Sequence, residues 1–277
     1  MKQTIQHMQR GQILLITLLV LAFAVTVAIA VISRSTTDLA ITSQMEDSAR
    51  AFSAAEAGIE EGMSSSVSSV KTLSASAQYS VTVSSIGNAS GVLTFPKLTT
   101  REFTETVWLV NHAADGSIDE TRVYQPPYVD VCWTKSGATI PAFAISILYK
   151  RGSTYLVAKG AYDPDTTRAV VNKFSAPTSA TAGSECGTSD YRARLTFANF
   201  GINPASDTLL MLRTRPVYEG TTFSIDSTAT LPLQGKRVES VGTSQGGATR
   251  KIVVVQQYRS AESFFDAALY SQANLVK

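Results

Sequence analysis

The segment from Gly242 to Gly246 has the residue types of a serine nucleophile. It matches the G-x-S-x-G pattern of serine hydrolases, with Ser244 at the nucleophile position. That pattern requires a strand before it, a helix after it and a catalytic histidine later in the chain. Here the strand-like run KIVVVQQY begins at Lys251, and no histidine occurs after Ser244. The glycines therefore predict a hairpin turn rather than a nucleophile.

Two further polar patterns are short of the partners that their chemistry needs. Ser68 and Lys71 match S-x-x-K, but the KTG and SDN signatures that accompany it in penicillin-binding enzymes are missing. Asp163 and Asp165 could belong to a calcium loop, but one Pro-bearing pair without the other oxygen ligands is typical of a turn. The sequence contains no phosphate-cradling loop and no Ser/His/Asp set. We expect no enzyme activity, no cofactor and no metal.

The chain has only two cysteines, Cys132 and Cys186. Because they are far apart and do not form a CxxC pair, they cannot by themselves build a zinc or redox centre. If this part of the chain lies outside the cytoplasm, a disulfide between them is one of two open alternatives. The alternative is a pair of buried free thiols.

The charge of the chain gives no support for a nucleic-acid partner, and none is expected. The 277 residues carry a formal net charge of +2, and Lys2 and Arg10 lie in the first eleven residues. Removing these two from the 24 basic residues leaves 22, against 22 acidic residues. A neutral chain without a basic block has no electrostatic footprint for a polyphosphate backbone.

The N-terminal region has the composition of a membrane anchor. Residues 12–33 carry no charge, and Ile13 to Ile32 are interrupted only by Thr17 and Thr26. As a helix these twenty residues would span about 30 Å, the thickness of a bilayer's hydrocarbon core. The basic residues before the run place the N-terminus in the cytoplasm and the rest of the chain outside. The alternative is a cleaved secretory signal, because AFA at 22–24 and AIA at 28–30 resemble cleavage sites.

A second helical pattern follows at 34–70. Its apolar positions gather on one face of a helix, and a band of small residues lies beside them. Glu56 falls inside the apolar stripe, so its carboxylate either reaches water or pairs with a partner subunit or with the C-terminal domain. We predict helix packing through Phe52, Ala55, Glu56, Gly58, Ile59 and Gly62. Glycine costs roughly 1 kcal/mol inside a helix, so Gly58 and Gly62 indicate either close approach of another backbone or a break or kink of the helix near Gly62.

These N-terminal residues resemble a known family. The leader QRG, the run QILLITLLVLAFAVTVAIAVI and the segment FSAAEAGIEEG are similar, in this order, to the N-terminal region of type IV pilin-like proteins. The closest resemblance is to minor pilins of the PilX type. It implies that a prepilin peptidase cuts after Gly11 and leaves Gln12 as a new N-terminus open to methylation. Major pilins usually carry Glu where this chain has Ile16, so the resemblance favours a minor or tip-type subunit.

The pattern changes to period 2 after residue 70, which is typical of strands. Alternation at 79–83 and 191–197, and apolar runs at 143–149, 155–158, 208–212 and 251–258, predict an antiparallel, β-rich outer domain over 71–277. The last segment, SAESFFDAALYSQ, predicts a short C-terminal helix. The expected fold class is α+β, with leader 1–11, membrane helix 12–33 and amphipathic helix 34–70 preceding the β-rich domain.

The expected function is that of a non-catalytic subunit. It would be anchored in the cytoplasmic membrane with its outer domain outside, and would be assembled into a type IV pilus-type filament or prime that filament. The implied partners are the prepilin peptidase, other pilin-like subunits, the membrane and the pilus assembly machinery. Two alternatives stay open: a permanently anchored surface binding module or adhesin, and a pseudopilin of a secretion or DNA-uptake system.

Overall fold

The computed structural model consists of one long helix followed by antiparallel strands. The predicted α+β class is therefore confirmed. The structure describes residues 6–74, 77–95, 97–101, 103–113, 115–135, 137–179 and 186–263. The predicted C-terminal helix falls mostly at 264–277, outside these residues. In chain order the elements are α1 (Gln6–Ser65), β1 (Ser69–Ser74), β2 (Ala77–Gly87), β3 (Gly91–Thr94), β4 (Glu105–Trp108), β5 (Asn111–His112), β6 (Ile118–Asp119), β7 (Tyr128–Trp133), β8 (Ala142–Arg151), β9 (Thr154–Tyr162), α2 (Thr166–Asn172), β10 (Thr178–Ser179), β11 (Tyr191–Thr196), a 3-10 turn (Phe197–Phe200), β12 (Thr208–Val217), β13 (Phe223–Ser227), β14 (Leu233–Ser244) and β15 (Thr249–Gln257).

Helix α1 ends earlier than its predicted limit at residue 70. The helix stops at Ser65, and Ser66 takes a left-handed conformation with φ 55°. The Ser66 amide still donates to the Gly62 carbonyl at 3.2 Å, which closes the last turn. Val70, predicted on the helix stripe, lies instead in β1 and pairs with Ser80 of β2. The serine-rich segment 64–69 explains the early end, because serine side chains compete for backbone hydrogen bonds and disfavour helix interiors.

The chain divides into two compact units. The first comprises Met1–Val83 with Val238–Val254, and the second comprises Ser84–Arg237 with Val255–Lys277. In the first unit, α1 is joined by strands of a sheet with the order β1-β2-β14-β15. The β14–β15 connection is a tight turn in which the Ser244 amide donates to the Ala248 carbonyl at 2.9 Å. The hairpin predicted from the glycines at 242–247 is therefore present.

The second unit holds the larger core. One sheet has the order β10-β11-β7-β13-β3 and another the order β4-β12-β8-β9. Every residue of β7 after Tyr128 is buried, as are alternate residues of β8 from Phe143 onward. Their rings meet across the core: Trp133 lies 5.0 Å from Phe143, and Phe143 lies 5.3 Å from Phe223 of β13, centroid to centroid. Burial of each such aromatic side chain contributes roughly 2–3 kcal/mol. This shared core holds the two sheets together.

A disulfide joins Cys132 to Cys186. Cys132 is the last but one residue of β7, and the Cα atoms of Cys132 and Cys186 are 5.5 Å apart. Both residues are buried, and the Cys186 amide donates to the Asp226 carboxylate at 2.8 Å. The two cysteines are separated by 54 positions in sequence, so the bond closes a long loop. This loop reduces the conformational freedom of the unfolded chain.

Removing this disulfide should destabilise the second unit. We expect Cys132→Ala with Cys186→Ala to lower the free energy of unfolding by about 2–4 kcal/mol, because the unfolded chain regains the freedom of the loop. Denaturant unfolding of the full chain in uncharged detergent micelles measures this. Wild-type protein treated with a reductant is the matched control and should unfold at the same lower denaturant concentration. An unchanged unfolding midpoint in both samples would contradict the role given to the bond.

Candidate functional site: the surface of the long helix

The first part of α1 is apolar and exposed along its whole length. Every side chain from Gln12 to Ile32 is exposed, including Leu21 at 67% and Phe23 at 69%. Its two hydroxyl groups are satisfied inside the helix: Thr17 donates to the Leu14 carbonyl at 2.9 Å, and Thr26 donates to the Phe23 carbonyl at 2.8 Å. The segment is long and apolar enough to cross a membrane, and no unsatisfied hydroxyl opposes that placement.

The predicted processing site lies at the start of this run. Gly11 and Gln12 both lie within α1, and Gln12 is exposed. Ile16 is 59% exposed, so its side chain is one more apolar group on the helix surface. The helix therefore passes through the junction between the predicted leader and the membrane segment without a break.

The second part of α1 buries its small residues against its own sheet. Ala51, Ala54 and Ala55 are at most 1% exposed, and Gly58 and Gly62 are also buried. A Cβ atom added to Gly62 would lie 2.6 Å from Val238 of β14 and 2.8 Å from Val81 of β2. The close neighbour that the glycines predicted is thus a strand of the same chain. Ala55, Gly58 and Gly62 therefore pack within the chain itself, and this surface is not available to a partner subunit.

Gly242 of β14 is the matching glycine on the sheet. A Cβ atom added there would meet the Ala51 carbonyl oxygen and would lie 2.5 Å from the Ala55 amide nitrogen. The main chain of the strand therefore lies directly on the main chain of the helix. No side chain fits between them, so both elements need their smallest residues at this point.

A polar cluster fixes the C-terminal end of α1 to β1 and β2. Glu61 accepts hydrogen bonds from Lys71 at 2.6 Å, from Ser69 at 3.2 Å and from the Tyr79 hydroxyl. The hydrogen bond from Lys71, followed by that from Tyr79, holds the pKa of the Glu61 carboxyl below its usual value. The same carboxylate raises the pKa of Lys71 and of Tyr79. These bonds hold the helix end on the first hairpin.

The adjacent side of the helix, next to β15, borders an open groove of about 700 Å³. Phe52 is 45% exposed there, and Ile59 and Met63 are half-buried. Glu56 is exposed beside them, as predicted for a carboxylate that reaches water, and no ion-pair partner for it occurs among the described residues. Of the predicted packing residues, Phe52, Glu56 and Ile59 therefore form one surface open to a partner. We call this surface the α1 groove; it is lined by Phe52, Glu56, Ile59, Glu60, Met63, Ser64 and Ile252.

Ile252 of β15 is a groove residue that the sequence analysis missed. The strand pattern KIVVV has no polar position to show which face is covered, so it did not reveal that Ile252 faces the helix groove. The only available signal was the hairpin after Gly242, which brings β15 back beside β14.

The motifs rejected from the sequence have structural roles. Ser244 lies in the β14–β15 turn, where its hydroxyl accepts from the Ala248 amide at 3.2 Å. The Ser68 hydroxyl accepts from the Val83 amide at 2.9 Å. Asp163 is fully buried and pairs with Arg168 at 2.6 Å, and Asp165 caps the N-terminus of α2. Over the described parts of the chain, no three His, Cys, Asp or Glu side chains are grouped to hold a metal.

Comparisons with known proteins give no match, either to protein-family models or to curated proteins. The function proposed for this chain therefore depends on its residues and their geometry.

A substitution that adds a single methyl group at Gly242 tests the contact between this residue and α1. We expect Gly242→Ala to lower the free energy of unfolding by about 1–3 kcal/mol, because the new methyl group overlaps the helix main chain, which cannot rotate away. Thermal and denaturant unfolding of the full chain in micelles measures the change. Gly137→Ala is the matched control, since its nearest neighbour, the Glu219 carboxylate, would lie 3.4 Å away in ordinary contact. Equal stability of the two variants would show that helix and strand do not touch.

Proposed function

We propose that this chain is a non-catalytic, minor pilin-like subunit. It is held in the cytoplasmic membrane by residues 12–33, cut between Gly11 and Gln12, and assembled through the exposed surface of α1 into a type IV pilus-type filament or as its primer. The observation that carries the proposal is the division of α1 into two faces. Its small residues are buried against the chain's own sheet, whereas Phe52 stays exposed and Ile59 and Met63 are only partly covered inside the first unit.

The membrane run supports assembly as well as anchoring. Leaving lipid for a helix bundle gains little from the hydrophobic effect, because lipid tails are as apolar as leucine, so close packing must supply the attraction. Ala24 and Ala28 lie one helical turn apart and are exposed, which is the small-xxx-small spacing that lets helices approach. Equivalent helices of other subunits are the partners that fit this surface.

The α1 groove supplies a second contact, outside the membrane run. Phe52 and Ile59 provide apolar area that water would otherwise hydrate, worth about 25 cal/mol per Å² when a partner covers it. Glu56 and Glu60 border this area and favour a partner with a basic group there. A subunit that packs along both segments would bury the whole exposed length of α1.

Ile16 supports a minor, initiating or tip position. The pilin-like resemblance places an inter-subunit carboxylate at this position in main repeating subunits, and an isoleucine cannot form that ion pair. Against Ile16, the charged group of a neighbouring subunit that would pair with this carboxylate has no partner. An unpaired charge in the bilayer core is costly, so repeated stacking of this chain on itself is disfavoured. A single copy among other pilin-like subunits avoids repeating that cost.

The proposal is tested by the identity of the first residue. We expect mass spectrometry of the protein from membranes and from sheared surface filaments to find a chain beginning at Gln12, with Gln12 methylated. Gly11→Val should leave the leader uncut and remove the protein from filaments, because the peptidase must bring the main chain at this position into its active site. Gln6→Ala, a leader change away from the junction, is the control and should be processed normally.

The other outcomes identify the alternatives. A chain that begins at Met1 would contradict processing and favour a permanently anchored surface binding module. A chain that begins near Ser33 would indicate an exported soluble domain. Processing at Gln12 without recovery from surface filaments would favour a pseudopilin of a secretion or DNA-uptake system.

A further inference from the structure

Three cations lie on one face of the β4-β12-β8-β9 sheet in the second unit. The register pairs Thr106 with Arg213, Arg213 with Ser146, and Ser146 with Lys159, so these four residues form one row across the four strands. In the next row, Arg215 pairs with Ala144. Because side chains two residues apart on a strand share a face, Arg215 projects on the same side as Arg213.

The short side chains between these cations leave a hollow. Ala144 and Ser146 of β8 form its floor, with Arg213 and Arg215 on one side and Lys159 on the other. The hollow has a volume of about 120 Å³. No acidic side chain among the described residues lines it, so its electrostatic potential is positive.

Arg213 is held in position at the base of this hollow. It is only 5% exposed, and it donates to the Ala261 carbonyl at 2.8 Å and to the Thr106 hydroxyl at 3.3 Å. Within the described residues, Lys159 and Arg215 form no ion pair. The site thus combines one fixed guanidinium with two cations that are open to an incoming anion.

An apolar cavity of about 230 Å³ adjoins the hollow. It is lined by Leu148, Val157 and Met211, and it shares Ser146, Lys159 and Arg213 with the cationic part. The apolar row is two residues further along the strands, a separation of about 6.6 Å. A ligand that fills both parts must carry a negative group next to an apolar group at that distance.

We propose that this groove binds an acidic–apolar peptide segment of a partner protein. One carboxylate lies between Arg215 and Lys159, and a neighbouring apolar side chain covers Met211 and Val157. The two cavities are each of side-chain size, which suits side chains two residues apart on an extended peptide and leaves no channel for a long acyl chain. A free inorganic anion would leave the apolar part uncovered. This binding goes beyond filament assembly and does not depend on it, because all of the groove lies in the second unit.

A matched pair of peptides tests the proposal. The acetylated and amidated peptides Ser-Phe-Ser-Asp-Ser and Ser-Phe-Ser-Asn-Ser, each carrying a fluorophore, are titrated with the full chain in uncharged micelles. We expect the Asp peptide to bind about tenfold more tightly, since a hydrogen bond to a charged group is stronger than one between neutral groups. The preference should weaken as salt is raised.

Variants of the chain separate charge from shape. Arg215→Gln and Lys159→Gln should each weaken binding of the Asp peptide by about tenfold. Ala144→Leu should abolish binding by filling the hollow with all three cations retained. Lys135→Gln is the control, an exposed cation outside the groove, and should leave binding unchanged. Unfolding curves establish that each variant is folded.

Four results would overturn the proposal. These are equal affinity for the two peptides, no binding of the Asp peptide at millimolar concentration, tighter binding of decanoate or sulfate than of the Asp peptide, and peptide binding that appears only after residues 264–277 are removed. The third would assign the groove to a different class of ligand, and the fourth to the chain's own end.

Discussion

Direct contact between the main chains of α1 and β14 is the constraint on which the first unit depends. Gly242 has no side chain where it meets Ala51 and Ala55, and Gly58 and Gly62 keep the helix close to β2 and β14 further along. This contact fixes the side of α1 that faces the sheet. The apolar groove exists because Phe52, Ile59 and Met63 lie on the remaining side, with Ile252 of β15 as its far wall.

The sequence predicted the elements better than their contacts. The charge-free run and the change from period 3.6 to period 2 predicted the long helix and the strands at 143–149, 155–158 and 208–212. It did not predict α2, because the pair of aspartates at 163 and 165 was interpreted as a turn. Asp165 does end that turn, but its side chain also accepts from the Thr167 and Arg168 amides and so starts a helix.

The candidate site was predicted only in part, for a physical reason. Helical periodicity showed that small and apolar residues lie on adjacent faces of α1, but it carries no information about which face the chain's own sheet covers. That choice depends on Gly242, which lies 180 or more residues away in sequence from the helix residues it meets. The sequence did not predict the row of cations on the second unit's sheet either, because Arg213, Ser146 and Lys159 meet only through strand register. Long-range pairing of this kind has no local signal.

We propose that the α1 groove is the surface on which another subunit packs. A photo-crosslinking amino acid in place of Ile59, activated in assembled filaments, tests it most directly, with the same amino acid at Val70, an exposed strand position, as the control. We expect a crosslinked product from position 59 whose partner peptide comes from the N-terminal helix of a pilin-like subunit, and little product from position 70. Crosslinks from position 59 to lipid alone, or none above the level at position 70, would contradict it.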